Sequence, residues 1–344
     1  MCFPRAILSS FYLVSFVFSL PSLAAQPQPA PNKPTGDELT PAQRLAVDHG
    51  LACLAAQQKN DGSFSAPGIT ALCGVAFMSA GNLPNRGRYG QQVQKCLDSV
   101  LANAQESGLI AAGQVGGPPM YGHGFATLFL AEVYGMTPDD SVKERLAKAV
   151  SLIQRTQNQE GGWRYQPIPF DADISVTICQ VMALRAARDA GVKVNKTTID
   201  RAIQYVRRCQ NGDGGFSYMP GSGGSGFART AAGVATLYYA GVFEGNDLNR
   251  GLKYLNQLNP AAGDESFYFY GHYYAAQAMF LAGGEYWQHY YPAIRDQLVQ
   301  RQDKASGAWS GGEAGADYGT AMALIVLQMP NRYLPVFHGK GPGA

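Results

Sequence analysis

Apolar residues return along this chain in two alternating rhythms. In one kind of segment they fall three and four apart, as at Val142, Leu146, Ala149, Val150 and Ile153, or at Ile199, Ala202, Ile203 and Val206. That spacing lays one stripe along a helix and leaves its other faces polar. In the other kind the segment is apolar almost all round: Phe125 to Val133, Val176 to Leu184, Ala231 to Tyr239, Ala275 to Leu281 and Ala321 to Leu327. A helix without a polar face has to be covered on every side. Together the two rhythms predict an all-α protein in which an inner ring of buried helices is wrapped by an outer ring of amphipathic ones.

The junctions repeat as well. Four segments look alike: Gln58 to Phe64, Gln157 to Trp163, Gln210 to Phe216 and the looser Gln302 to Trp309, with weaker counterparts at Gln105 to Gly108 and Gln257 to Asn259. Their first glutamines stand about 45 to 53 positions apart, a period that signals repeated supersecondary units, here about six helical hairpins. Each turn has Gln, then Gly, then an aromatic residue. Gly supplies the left-handed residue that ends the outer helix, and the Gln amide is expected to bond the carbonyls left open there. The aromatic ring packs back over the junction. These roles are structural, and no catalysis is assigned to the turn.

These Gln…Gly-aromatic segments resemble the QW repeats of squalene and hopene cyclases, shared more broadly by the α/α toroids of terpenoid cyclases and protein prenyltransferases. The resemblance spans about Leu39 to Pro330 and implies an (α/α)6 toroid. In such a ring the N-termini of the inner helices open at one end of a central cavity. The polar residues at those starts are Thr70, His123, Asp171, Asp173, Arg229, His272, Asp317 and Tyr318. A polar mouth above an apolar cavity is a default binding site, so His123, Arg229, His272, Asp317 and Tyr318 are expected to contact a ligand. The aromatic run from Phe267 to Tyr274 adds Tyr270 and Tyr273, whose faces would suit an apolar or cationic group.

Asp171-Ala172-Asp173-Ile174 looks like the DxDD acid motif of class II terpene cyclases, with Ile174 in place of the last Asp. By position Asp173 would donate a proton to an alkene or epoxide, with Asp171 beside it to hold that proton. Alternatively, Asp171 caps the helix that follows Pro169-Phe170. The resemblance to prenyltransferases does not extend to their zinc ligands, because Phe227-Ala228-Arg229-Thr230 has no Asp-x-Cys pair. His123, His272 and Asp317 follow no ligand spacing, so neither metal nor cofactor is expected. Thioester chemistry is excluded too, since Cys73-Gly74 is followed by Val75-Ala76. On the precedent of sugar-active toroids, a third reading is polysaccharide cleavage, for which Asp173 and Asp317 across the mouth would serve as acid and base.

Composition narrows the rest. A formal net charge of +2 in 344 residues, with no run of Lys or Arg, argues against nucleic acid as partner. Arg5, the apolar run Ala6 to Leu20 and the small residues through Ala25 read as a secretory signal over 1–24, with no membrane span left after cleavage. A Pro-rich linker over 25–38 (Pro27, Pro29, Pro31, Pro34) precedes the toroid at 39–330 and a tail at 331–344. The five later cysteines, Cys53, Cys73, Cys96, Cys179 and Cys209, lie in apolar stretches as packing residues, with a disulfide among them the alternative. The sequence therefore describes an exported toroid that binds a hydrophobic, isoprenoid-like ligand or a protein partner at its central cavity. The alternative is a cyclase- or mutase-like enzyme with Asp173 as general acid.

Overall fold

The computed structural model describes residues 39–112, 118–258 and 267–338. The signal and the linker, residues 1–38, lie outside that range. Among the described residues there are twelve α-helices and no strand. The odd-numbered helices are α1 (Pro41–Gln57), α3 (Gly90–Ala102), α5 (Asp140–Arg155), α7 (Lys196–Arg208), α9 (Asn246–Gln257) and α11 (Gly284–Arg301). The even-numbered ones are α2 (Pro67–Met78), α4 (Pro119–Met136), α6 (Ile174–Asp189), α8 (Phe227–Tyr239), α10 (Tyr268–Ala282) and α12 (Ala316–Leu327). Each even helix packs on the next, from α2 through α12, and α12 packs back on α2. That cycle closes the inner ring, and the odd helices lie outside it.

Burial follows the two rhythms. Outer α7 buries Thr198, Ala202, Tyr205 and Val206 along one stripe, whereas inner α6 buries nearly every residue from Ile174 to Ala187. Inner helices approach one another closely where side chains are absent. A Cβ on Gly68 would stand 2.4 Å from the Gly122 Cα, so α2 and α4 cross backbone to backbone at a Gly pair. The five cysteines among the described residues are buried free thiols that serve as packing.

The repeated Gln does more than cap its own helix. Gln157 Nε2 donates to the Gly161 carbonyl within the turn and to the Thr198 carbonyl in the first turn of α7, each at 2.8 Å. Gln58 reaches Gln92 in α3, and Gln210 reaches Asp247 in α9, in the same way. Gln302 donates to Ala46 in α1 and so stitches the last outer helix to the first. The expectation of a bond to the outer helix's own open carbonyls is corrected: the amide spans consecutive hairpins, from a Gln that has already left the helix (φ −63°, ψ 125° at Gln58). Gly161 (φ +100°) must be Gly, since a Cβ there would meet the Arg201 carbonyl oxygen at 2.3 Å.

The aromatic residue of each turn is latched in turn to the inner helix that follows. The N–H groups of Phe64, Trp163, Phe216 and Trp309 donate to the hydroxyls of Thr70, Thr177, Thr230 and Thr320 at 3.0–3.1 Å. Beyond Pro330 the chain keeps packing: Leu334, Val336 and Phe337 are buried, and the 3-10 turn Pro335–Phe337 lies on α6.

Candidate functional site

Tyrosines of α10 reach across the ring to α4 and α6. Tyr273 is fully buried, meets Phe125 of the opposite helix α4 edge-on at 6.1 Å, and points its hydroxyl at Met182 Sδ of α6. Tyr274 lies 3.1 Å from Cys179 Sγ, and the Tyr270 hydroxyl donates to the Ser175 carbonyl at 3.0 Å, both on α6. Burial pushes the Cys179 thiol up to about 12, so it is inert at neutral pH. Tyr318 lies on α12, where burial first and the Cys179 thiol second raise its hydroxyl. Of the expected ligand contacts Tyr270, Tyr273 and Tyr318, Tyr273 is fully buried, whereas Tyr270 and Tyr318 keep part of their surface exposed.

Other expected contacts lie elsewhere. His123 is fully buried, and its Nδ1 accepts the Ile110 N–H at 3.2 Å, the place that threonine holds in four other repeats. Burial lowers it to about 4, so it stays neutral as a structural latch. His272 turns outward: its Nδ1 is 2.8 Å from the Tyr290 hydroxyl of α11, and its ring packs on Phe227 and Tyr268. Arg229 folds back over side-chain-free Gly226 and influences Tyr254 on outer α9. Asp317 begins α12, opposite α6, where burial raises its pKa and Lys59 opposes the rise. Asp317 and Asp173 thus begin inner helices on opposite sides of the ring.

The polar machinery gathers instead at the start of α6. Asp173 is fully buried and is the N-cap of that helix, its Oδ1 accepting the Val176 N–H at 2.8 Å. The cap is therefore Asp173 and not Asp171. Its Oδ2 accepts the Tyr218 hydroxyl at 2.9 Å, with Arg164 Nε 3.6 Å away. Because Tyr218 spends its one hydroxyl proton on Asp173, the Tyr165 hydroxyl, 2.6 Å away, must be the donor of that pair. Burial pushes Asp173 up to about 6, against the pull of the Val176 amide, the Tyr218 hydroxyl and the Arg164 charge. Replacing Tyr218 with Phe removes one of those pulls, so the Asp173 pKa should rise further, read by carboxyl carbon shifts in an NMR titration. An unchanged value would mean that the hydroxyl does not bond the carboxylate.

Asp171 stands outside, half-exposed and ion-paired with Arg164 Nη1. Arg164 lies over the rings of Tyr165 and Tyr218, 5.0 and 5.9 Å from their centres. A pocket of about 250 Å³ opens here, lined by Arg164, Tyr165, Gln166, Ile168, Phe170 and Asp171. Ile168 and Phe170 are 55% and 81% exposed, among the most exposed large apolar residues described.

The family model of the prenyltransferase alpha-alpha toroid domain matches residues 70–263. The chain belongs to that family. Among curated protein sequences none matches. Among solved structures, this prenyltransferase-type toroid is similar to an inactive variant of the GH76 α-1,6-mannanase of Salegentibacter sp. HEL1_6, bound to α-1,6-mannotriose, at 9% identity and a TM-score of 0.63, over 84% of this chain and 98% of that one. It is also similar to the type II terpene cyclase MstE from Scytonema, crystallised with geranylgeranyl dihydroxybenzoate, at 14% identity and a TM-score of 0.60, over 85% and 98%. The GH76 α-mannanase BT2949 of Bacteroides thetaiotaomicron matches at 12% identity and a TM-score of 0.62, over 85% and 96%. Likeness at such identities shows the fold alone.

Arg164, Tyr165 and Tyr218 escaped the sequence reading, although the repeats carry their signal. Tyr165 and Tyr218 each lie two residues beyond the turn aromatic, Trp163 and Phe216. In each case the backbone carbonyl accepts the N–H at the start of the preceding inner helix, Met120 for Tyr165 and Ile174 for Tyr218. Aligning the repeats on their aromatics would have put the two hydroxyls side by side.

Proposed function

We propose that this toroid is a binding protein that takes an apolar, isoprenoid-like ligand at the mouth beside α6, with its axis serving as core. The observation that carries this reading is the pair of exposed side chains, Ile168 and Phe170, lining a pocket whose other walls are polar. Large apolar groups left in water beside a concave site mark a place where something apolar binds. At about 250 Å³ the pocket is smaller than the roughly 300–1,000 Å³ that encloses a whole small ligand, so it grips one end of a longer molecule. The geranylgeranyl chain bound by the terpene cyclase neighbour supports the ligand class. The apolar run Ala6 to Leu20 supports export, and no described helix is long and apolar enough to cross a membrane.

Titration of the full-length protein with geranylgeraniol tests the reading. Saturable binding is expected, weakened at least about tenfold in an Ile168→Asp, Phe170→Asp double variant that alters only exposed positions. Equal affinity in the double variant would move the ligand elsewhere.

A second reading, acid-initiated isomerisation of a polyene, draws on Asp173. A carboxyl at about 6 is partly protonated near neutral pH, and the hydroxyls of Tyr218 and Tyr165 form a path from it towards the pocket wall. The carboxyl would give its proton to an alkene carbon and leave a carbocation with Asp173 as carboxylate. Conversion of squalene-like substrates by the wild type and not by Asp173→Asn supports it, whereas product from both or from neither ends it.

A further inference from the structure

We propose that Arg164 is the anion-recognition residue of the mouth, paired with Asp171 and handed to the carboxylate or phosphate head of an amphiphilic ligand. The inference rests on the binding reading above and names the ligand's polar end. Three observations carry it.

Arg164 is already positioned. Its guanidinium is stacked over Tyr165 and Tyr218, and those rings are fixed by their shared hydroxyl contact and by the bond to buried Asp173. A planar fork held in place loses little freedom when it grips an anion. The fork also has an unspent donor. The buried Nε–H has no acceptor within hydrogen-bond distance, its nearest carboxylate oxygen being Asp173 Oδ2 at 3.6 Å. That Nε–H stays turned towards buried Asp173, and the Nη1 end that meets Asp171 is the part of the fork at the pocket wall.

The two aspartates around Arg164 are unequal. Asp173 is fully buried and bonded to the α6 backbone and to Tyr218, so it cannot leave. The Asp171 side chain is 43% exposed, and Arg164 is its hydrogen-bond partner among the described residues. An ion pair this exposed is worth little, so exchanging Asp171 for another carboxylate or a phosphate is nearly neutral. Ile168 and Phe170 line the same pocket, which places the apolar part of the ligand next to its charged head.

The test uses two probes with one chain, geranylgeranyl phosphate and geranylgeraniol, titrated calorimetrically into full-length protein. The wild type should prefer the phosphate by about tenfold, as expected for one added charge-assisted pair. Asp171→Asn removes the internal competitor and should widen the preference several-fold. Arg164→Gln should bring it to about one while geranylgeraniol still binds, and that retained binding also shows that the variant is folded. Equal binding of both probes to the wild type, or a phosphate preference that survives in Arg164→Gln, overturns the assignment of Arg164 and leaves the binding reading intact. Failure of both probes to bind any variant sinks the binding reading itself, and the inference with it.

Discussion

Tyr273→Ala should cost about 3–5 kcal/mol of folding stability, the range for removing a large aromatic side chain from a packed core. Tyr273 is fully buried on the axis, edge-on to Phe125 from across the ring, with its hydroxyl towards Met182. Its loss strips contacts from α4, α6 and α10 together and leaves an apolar void that neighbours on opposite helices cannot collapse into. Such voids stay dry and take up small apolar solutes. Benzene or xenon should therefore restore part of the lost stability in the variant and do nothing for the wild type. Chemical denaturation with and without the solute checks both effects. A loss below about 1 kcal/mol would mean that the axis is already open.

Glu132→Gln should turn a pH-sensitive protein into a pH-insensitive one. Glu132 lies on α4 at the other end of the axis, 2% exposed, with Oε2 lacking a hydrogen-bond partner. Burial pushes its carboxyl up to about 8, the Val336 backbone pulling it back and Asp189 of α6 adding to the rise. Tyr239 of α8 and Tyr273 of α10 face the same carboxyl, and Arg185 of α6 reaches Tyr239 as well. A carboxyl whose folded pKa is raised contributes stability that is whole below about 4.5 and is lost as pH climbs through about 8. At roughly 1.4 kcal/mol per pH unit the loss is on the order of 4 kcal/mol by pH 9. Glutamine mimics the neutral acid, so the melting temperature of the variant should stay flat from pH 6 to 9 while that of the wild type falls. Parallel curves would show that Glu132 does not titrate in the folded ring.

The fold was legible because two helical rhythms and a Gln…Gly-aromatic turn point to one architecture at every repeat. Gly161 with its contact on Arg201, and Gln157 with its reach to Thr198, recur almost unchanged around the ring. The site was legible only in part. Polarity at an inner-helix start identified Asp173, but the same rule also selected His123, which replaces a structural threonine, and His272, which serves the wall with α11. Helix register, which the spacing of turns does not set, decides whether a side chain at a helix start looks inward or outward. Arg164 and Tyr218 lay in the extended stretches after the turns, where no helical period marks them. The aromatic run at the start of α10 adds bulk where the inner helices converge, with Tyr273 and Tyr274 fully buried. Of the tyrosines read as a ligand-binding rim, Tyr273 is core, and Tyr270 and Tyr318 stay partly exposed.

Where an isoprenoid chain comes to rest tests the whole arrangement most directly. A geranylgeranyl probe carrying a diazirine, photolysed on full-length protein and mapped by peptide mass spectrometry, should label the stretch between Arg164 and Asp171, and unlabelled geranylgeraniol should compete it away. Competed labelling of Phe125, Cys179 or Tyr273 would place the ligand on the axis and contradict the closed ring.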